Sequence, residues 1–391
     1  MDHVPLLVLG AGVDGLLTAL ALSHQGFPVH LLDREPDPAV PDPATPDPAV
    51  SAGAGPATAA VAVAATALLP PAATQELGAL GLLDGLVAAT AEPRSFTLAD
   101  ARTGRLLHRV ALGPAVRTRW RDPLLVVSLG TMRRLLAGAA ASDDMVTVEY
   151  GVRPTVVEDV VEGALVGDEH GPAYRAEALV AADGPASPVR SLLRGGRPAS
   201  APYQLHRTRW PGPVAREEIR TWSSPLLHLC CTPTPDADTA DLALVVRAEM
   251  GPAEIARAAA HHAVELREAL EAAAFAAPVR VHHHRPLERW TRHRIGVLGA
   301  AAQPMLPHDG QALAQTVLDA AALGAAFDRA DGRVVAALED YERARAAPRA
   351  RAAARAADVA DVLHADGMLR RLRDHAWAGT SPDPQAALVG D

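Results

Sequence analysis

The first hydrophobic feature of the chain is a short unbroken apolar run, Val4 to Leu9, the pattern of a strand buried on both faces. It ends in Gly10-Ala11-Gly12-Val13-Asp14-Gly15, and apolar residues then continue from Leu16 to His24 as a helix stopped by Gly26. A second apolar run, Pro28 to Leu32, finishes on Asp33, 23 residues beyond the first glycine. Strand, glycine turn, helix, strand and terminal acid, in that order, form the dinucleotide-binding fingerprint. Gly10, Gly12 and Gly15 permit the turn and a close backbone approach, the helix N-terminus faces a pyrophosphate, and Asp33 accepts from a ribose hydroxyl.

Residues 36–50 repeat Pro-Asp-Pro-Ala with a period of five, a pattern that favours a solvated polyproline II loop. A helix is predicted from Pro71 through Leu80, and a hairpin over Arg94 to Val110 with Thr103-Gly104 at its turn. Thr131 to Ala141 reads as a helix, and Val146 to Val166 as strands broken at Pro154 and Gly163. Tyr203 to Trp210, Leu226 to Cys231 and Leu242 to Ala248 alternate as strands do. Ile255 to Ala273 has the period of one amphipathic helix. The last third is helical: Gln311 to Arg329, Arg333 to Ala346, then an arginine-rich stretch to Arg373 that reads as a solvated helix face.

Composition narrows the chemistry. With 49% hydrophobic and 21% charged residues, the 391-residue chain is globular and long enough for two or three domain-sized units. A net charge of −9 argues against nucleic acid and anionic membrane as partners. Cys230 and Cys231 are adjacent, which leaves no disulfide framework and no cysteine zinc site. Neither lysine nor asparagine occurs, the mark of a GC-rich, bacterial genome, and without lysine there is no Schiff-base catalysis and no Walker A loop. No apolar run reaches membrane-spanning length and the N-terminus lacks a basic leader, so a cytoplasmic protein is expected.

Two further motifs follow. Ala178 to Ala182 is a strand ending in Asp183-Gly184, with Ser187 and Val189-Arg190 behind it. Arg294-Ile295-Gly296-Val297-Leu298-Gly299-Ala300-Ala301-Ala302-Gln303-Pro304 precedes Pro307, Gly310-Gln311 and Asp319. Together with the N-terminal fingerprint, these motifs resemble the group A flavoprotein monooxygenases, the para-hydroxybenzoate-hydroxylase-like fold, over nearly the whole chain. The resemblance implies an α/β fold in which a Rossmann-type dinucleotide-binding domain is interleaved with a mixed-sheet substrate domain, followed by a helical C-terminal tail. Residues 1–70, 95–195 and 290–330 would form the Rossmann-like domain, 71–94 and 196–289 the substrate domain, and 331–391 the C-terminal helices. It also implies an FAD site at Gly10, Gly12, Gly15, Asp33, Asp183 and Gly184.

The chain departs from the family pattern at that site. The family's Gly-Asp stands here as Gly299-Ala300, its histidine as Gln303, and its Gly-Gln-Gly turn as Gly310-Gln311-Ala312. Two family arginines have no counterpart: one after Asp33, where the repeat carries Asp37, Asp42 and Asp47, and one where Val127-Ser128-Leu129-Gly130 stands. Asp14 adds a carboxylate to the phosphate turn itself, a like charge beside a diphosphate. The expectation is that these cofactor residues are vestigial and that the protein uses no cofactor.

On that expectation the leading reading is a tailoring enzyme of bacterial specialised metabolism that performs a non-redox cyclisation or rearrangement of a small, largely apolar natural-product intermediate. An FAD- and NAD(P)H-dependent hydroxylase or epoxidase is the alternative, and a non-catalytic binding protein the second alternative. His308 and Asp309 lie in the loop where the family places flavin and substrate, and they are the acid/base candidates because histidine titrates near neutrality and a neighbouring acid can orient it. Trp210, Trp222 and His228 fall in the sheet that roofs the family's substrate, and with Gln303 and Pro307 they make up the candidate substrate-binding set; equally, the aromatic residues fill the core. His282-His283-His284 would alternate along a strand and cannot all reach one ion, so no metal is expected. A serine hydrolase elbow, Gly-x-Ser-x-Gly, is absent.

Overall fold

A computed structural model of the chain describes residues 1–36, 66–161, 163–168, 171–196, 199–210, 217–234, 239–274 and 278–378. The repeat after Glu35 lies almost wholly outside the described residues. The chain begins β1 (Asp2–Leu9), α1 (Val13–Ser23), β2 (Val29–Asp33), β3 (Thr66–Leu69), α2 (Pro71–Ala79) and α3 (Leu83–Ala89). It continues through β4 (Ser95–Asp100), β5 (Leu106–Ala111), α4 (Pro114–Trp120), β6 (Leu125–Ser128), α5 (Leu129–Ala141) and β7 (Val146–Tyr150). Next come β8 (Val156–Val160), β9 (Gly163–Asp168), β10 (Gly171–Ala181), α6 (Val189–Leu192), β11 (Ala199–Trp210), β12 (Glu218–Ser223), β13 (Leu227–Pro233) and β14 (Ala240–Arg247). The rest is α7 (Pro252–Ala259), α8 (Val264–Ala274), β15 (Pro278–His283), β16 (Thr291–Arg292), β17 (Ile295–Val297), α9 (Ala312–Ala330), α10 (Val334–Leu363) and α11 (Gly367–Ala378).

The first sheet runs β16-β17-β10-β1-β2-β7, with β9 and β8 continuing beside β10. Its centre is parallel: β1 pairs with β10 and β2, β2 with β7, and β10 with β17. Parallel strands are covered by helices on both faces, which is why Val4–Leu9 and Val29–Leu32 are unbroken apolar runs rather than alternating ones. Leu7, Leu16, Leu17, Leu22 and Leu31 are all buried in the resulting core.

The second sheet is ordered β15-β11-β14-β13-β12-β4-β5 and is antiparallel except where β12 meets β4. Side chains on its strands alternate between two faces. One face packs Leu227, Leu229, Leu242 and Leu244 against Ile255 of α7 and Leu266 and Leu270 of α8. The other face turns toward the 307–310 loop and the end of α10.

Several expected boundaries move. The hairpin at 95–111 joins the second sheet, while Ala73, Leu77 and Leu86 of α2 and α3 pack into the first core. The parallel pairing of β4 with β12 is a long-range contact that local periodicity does not reveal. The helix expected over 255–273 breaks at His261–Ala263, where the Ala263 amide donates to the carbonyl of Ala101 at 3.0 Å. The helix expected to stop at Ala346 runs on to Leu363 as one 30-residue helix through Pro348, and the arginine-rich stretch ends on α11. Its arginines are not all solvated, because Arg349 is 1% exposed and Arg345 is partly buried, both on Asp319.

Candidate active site

A groove of about 620 Å³ opens where β1, β2 and β10 end. Gly10 has φ +94°, and a Cβ there would stand 2.8 Å from Asp183 Cα; a Cβ on Gly15 would come within 1.7 Å of the Gly10 carbonyl oxygen. Both positions therefore require glycine. Gly12, just before α1, faces open space. Asp33 braces the turn: Oδ2 accepts from the Ala11 amide at 2.6 Å and Oδ1 from the Glu35 amide at 2.8 Å. Asp183 and Gly184 form the opposite wall, and burial pushes the Asp183 carboxyl up to about 6. Arg34 and Arg153 also line the groove, so cations are present although the family positions lack them.

Asp14 does not simply add charge to this groove. Its Oδ2 accepts from the Ala300 amide at 3.0 Å, and burial pushes its carboxyl toward the neutral form. A carboxyl group thus stands at Ala300 after all, delivered there from α1. The Gly299–Gln303 turn is also held from behind. Arg190 Nη1 donates to the carbonyls of Ala301 and Ala302, each at 2.6 Å. Arg349 Nε donates to the Gln303 carbonyl at 3.0 Å while Nη1 pairs with buried Asp319, which also accepts from Arg345 Nε at 2.8 Å. Glycine cradle, exposed helix N-terminus and rim arginines fit the diphosphate half of a dinucleotide such as FAD.

A second space of about 150 Å³ lies between the inner face of the second sheet and the loop 307–310. Alternate residues line it: Leu205 and Arg207 on β11, Ile219 and Thr221 on β12, His228 and Cys230 on β13. Thr66 to Leu68, Pro307 to Gly310, Val359 and Leu363 close the rest. Arg207 is neutralised within the wall, since Nη1 lies 3.0 Å from Asp241 Oδ2, which also accepts from the Thr66 amide and hydroxyl.

Of the expected substrate residues, His228 and Pro307 line this cavity, as do His308 and Asp309. Trp222 and Trp210 do not. Strand alternation that turns Thr221 inward turns Trp222 outward, into the core under α7 and α8, with Trp210 packed against it. Gln303 is buried, and its backbone carbonyl accepts from Arg349. Asp309 does not orient His308: its Oδ1 accepts from the Gln311 amide at 3.1 Å, and burial pushes the carboxyl up to about 6.

Histidine 308 belongs to a cluster. Nδ1 of His228 and Nε2 of His364 are 3.0 Å apart, and the His308 ring stands 4.9 Å from His228 and 5.7 Å from His364, edge-on to Tyr203. Burial, then the charges of His364 and Arg247, pushes His308 down to about 3; burial takes His364 to about 4 and His228 well below its ordinary value. All three rings are neutral at pH 7, so the expectation that His308 titrates near neutrality is corrected. No local pattern marks His364, at the end of an arginine-rich helix, as part of a site. His284 Nε2 donates to the Pro185 carbonyl at 2.7 Å.

A dinucleotide groove on a parallel sheet, set beside a cavity roofed by a second sheet, is the architecture of the group A flavoprotein monooxygenases, and this chain has that fold. No protein-family model matches it. It is 24% identical over 400 residues to 3-hydroxybenzoate 6-hydroxylase of Polaromonas naphthalenivorans strain CJ2, covering 97% of this chain and 93% of the relative. It is 25% identical to 3-amino-4-hydroxybenzoate 2-monooxygenase of Streptomyces cremeus, over 99% of this chain and 95% of the relative. Klebsiella pneumoniae HpxO, solved with FAD and uric acid, superposes with a TM-score of 0.80 at 21% identity, over 96% of this chain and 92% of HpxO. Pseudomonas aeruginosa PqsL, in complex with 2-aminobenzoylacetate, gives a TM-score of 0.75 at 20% identity, over 97% and 100% of the two chains.

These findings overturn two expectations. The cofactor-free cyclase is not upheld, because the relatives are hydroxylases and monooxygenases along the full length. The absence of a cofactor is not upheld either, because HpxO, which shares the fold, holds FAD. The physical reason lies in the folded groove, where the Asp14 carboxyl group stands at the Ala300 amide and Arg34 and Arg153 line the rim. Among the described residues no helix is long and apolar enough to cross a membrane.

Proposed function

We propose that the chain is an FAD-dependent monooxygenase, reduced by NADH or NADPH, that hydroxylates a small single-ring aromatic substrate. The observation that carries this reading is the pairing of a glycine-cradled groove with a compact, largely apolar cavity at the 307–310 loop. Full-length similarity to aromatic hydroxylases supports it. FAD, when bound, supplies the redox and oxygen-transferring chemistry.

The residues of the chain bind and orient. The amides around Gly10, Gly12 and Gly15 and the N-terminus of α1 would hold the diphosphate, with Asp33, Asp183 and Gly184 as walls. Leu205, Ile219, Val245 and Leu363 exclude water from the substrate ring. His228 and His308 mark the polar end of the cavity, with Asp309 and Pro307 closing the loop side. Since Arg207 is already paired with Asp241, the cavity favours an uncharged phenol or aniline over a benzoate.

The test is to load the purified protein with FAD, remove the excess, and follow NAD(P)H oxidation with phenols, anilines and benzoates. Retained flavin, faster oxidation with the neutral ring compounds, and incorporation of one atom of labelled dioxygen into product are expected. A protein that retains no flavin and consumes no NAD(P)H with any of them refutes the reading.

A further inference from the structure

Three imidazoles from distant parts of the chain converge on one point. His228 comes from β13, His308 from the loop before α9, and His364 from just beyond α10, and all three are buried. One ring nitrogen from each lies within 4.8 Å of the other two, and no other such group of histidine, cysteine or acidic residues occurs among the described residues. We propose that His228, His308 and His364 bind one divalent transition-metal ion of the zinc type, with an open coordination position facing the substrate cavity.

The geometry is close to what such an ion takes. Zinc–imidazole bonds of about 2.0–2.1 Å in a tetrahedron place ligand nitrogens about 3.4 Å apart. His228 Nδ1 and His364 Nε2 already stand 3.0 Å apart, and the three ligand nitrogens all lie within 4.8 Å of one another. In His308 both ring nitrogens are buried with no hydrogen-bond partner. Buried polar atoms are almost always paired, and an ion at the shared point would satisfy this ring. The Pro225 carbonyl lies beside the His364 ring, as outer partners of metal-bound histidines commonly do.

Three imidazoles without a thiolate or carboxylate leave a fourth position for an exogenous ligand. His228 and His308 both line the cavity, so that position opens onto the space where a substrate lies. Arg247, stacked on Tyr203 at 5.2 Å, adds a positive charge near the cluster. The occupant of the open position is therefore an oxygen donor that tolerates negative charge, such as a phenol hydroxyl. Ion binding itself does not rest on the monooxygenase reading.

The experiment uses the full-length protein, stripped with a chelator and dialysed against zinc or cobalt(II), with metal content read by plasma mass spectrometry. One equivalent per chain is expected, with tetrahedral cobalt absorption and an X-ray absorption edge showing nitrogen ligands. Losing even an outer-sphere partner weakens metal sites about 10–100-fold, so His308→Ala and His364→Ala should weaken binding by at least about a hundredfold. His282→Ala, away from the cluster, should not. Folding of the variants is checked by circular dichroism, and the X-ray edge on the unmutated protein needs no variant at all. Metal content no higher than in the His308→Ala/His364→Ala protein, or a nitrogen-poor edge, overturns the proposal. So does phenol binding to the stripped protein that added zinc leaves unchanged, which would make the imidazoles direct hydrogen-bonding groups.

Discussion

Replacing Arg349 by methionine removes the brace beneath the Gly299–Gln303 turn. The guanidinium is 1% exposed, pairs with Asp319, and donates to the Gln303 carbonyl at 3.0 Å. Removing one partner of a buried ion pair costs about 3–5 kcal/mol, because the other charge stays buried. Arg345 remains on Asp319 at 2.8 Å, which places the loss at the lower end, about 3 kcal/mol, including about 1 kcal/mol for the orphaned Gln303 carbonyl. Unfolding entropy of about 2.1 cal/mol/K per residue amounts to about 0.8 kcal/mol/K for a chain of 391 residues that melts as one unit. The Tm should then fall by about 4 °C. Scanning calorimetry measures that shift, and a fluorescence titration with FAD follows the loosened turn as weaker binding. Arg349→Lys keeps the charge but cannot reach Asp319 and Gln303 together, so it should recover only part of the loss. A Tm drop of less than about 1 °C with unchanged FAD affinity would refute the reasoning, since Arg345 would then satisfy Asp319 alone.

Neighbouring residues on β12 should separate stability from substrate binding. Trp222→Leu should destabilise by about 2–4 kcal/mol with KM unchanged, whereas Thr221→Leu, on the cavity face, should raise KM and leave the Tm little moved; the reverse pattern would contradict the assigned faces. Asp183 has a folded value of about 6 against an ordinary 3.8, so the folded state holds the extra proton between about pH 4 and 6 and loses up to about 3 kcal/mol as pH rises through that window. In the flavin-free protein, Asp183→Asn should be stabilising above pH 6 and neutral near pH 4 by denaturant titration; destabilisation at high pH would count against it. Burial raises both cysteine thiols, Cys231 to about 12, so a thiol reagent at neutral pH should label them slowly until denaturant is added, and rapid labelling of the folded protein would be the contrary result.

Local order was legible in the chain, residue by residue. Val4–Leu9, the glycines at 10, 12 and 15, and the acid at Asp33 could be placed without coordinates, because a parallel strand, a tight turn and a helix start each impose their own residue types within a few positions. Asp183-Gly184 and Gly310 were marked the same way, and both glycines hold positive φ. Where the chemistry depends on meetings between distant segments, the linear reading ran out. Alternation on β12 says that Thr221 and Trp222 face opposite ways, but both faces of that sheet are buried, so only the packing of α7 and α8 decides which one is the wall of a cavity. Asp14 reaches Ala300 across 286 positions, and His364 meets His228 across 136, with nothing in either local pattern to announce it. A local sequence pattern constrains only the residues within a few positions of one another. A folded chain satisfies a site with whichever side chain arrives in the right volume, and that arrival is settled by long-range packing.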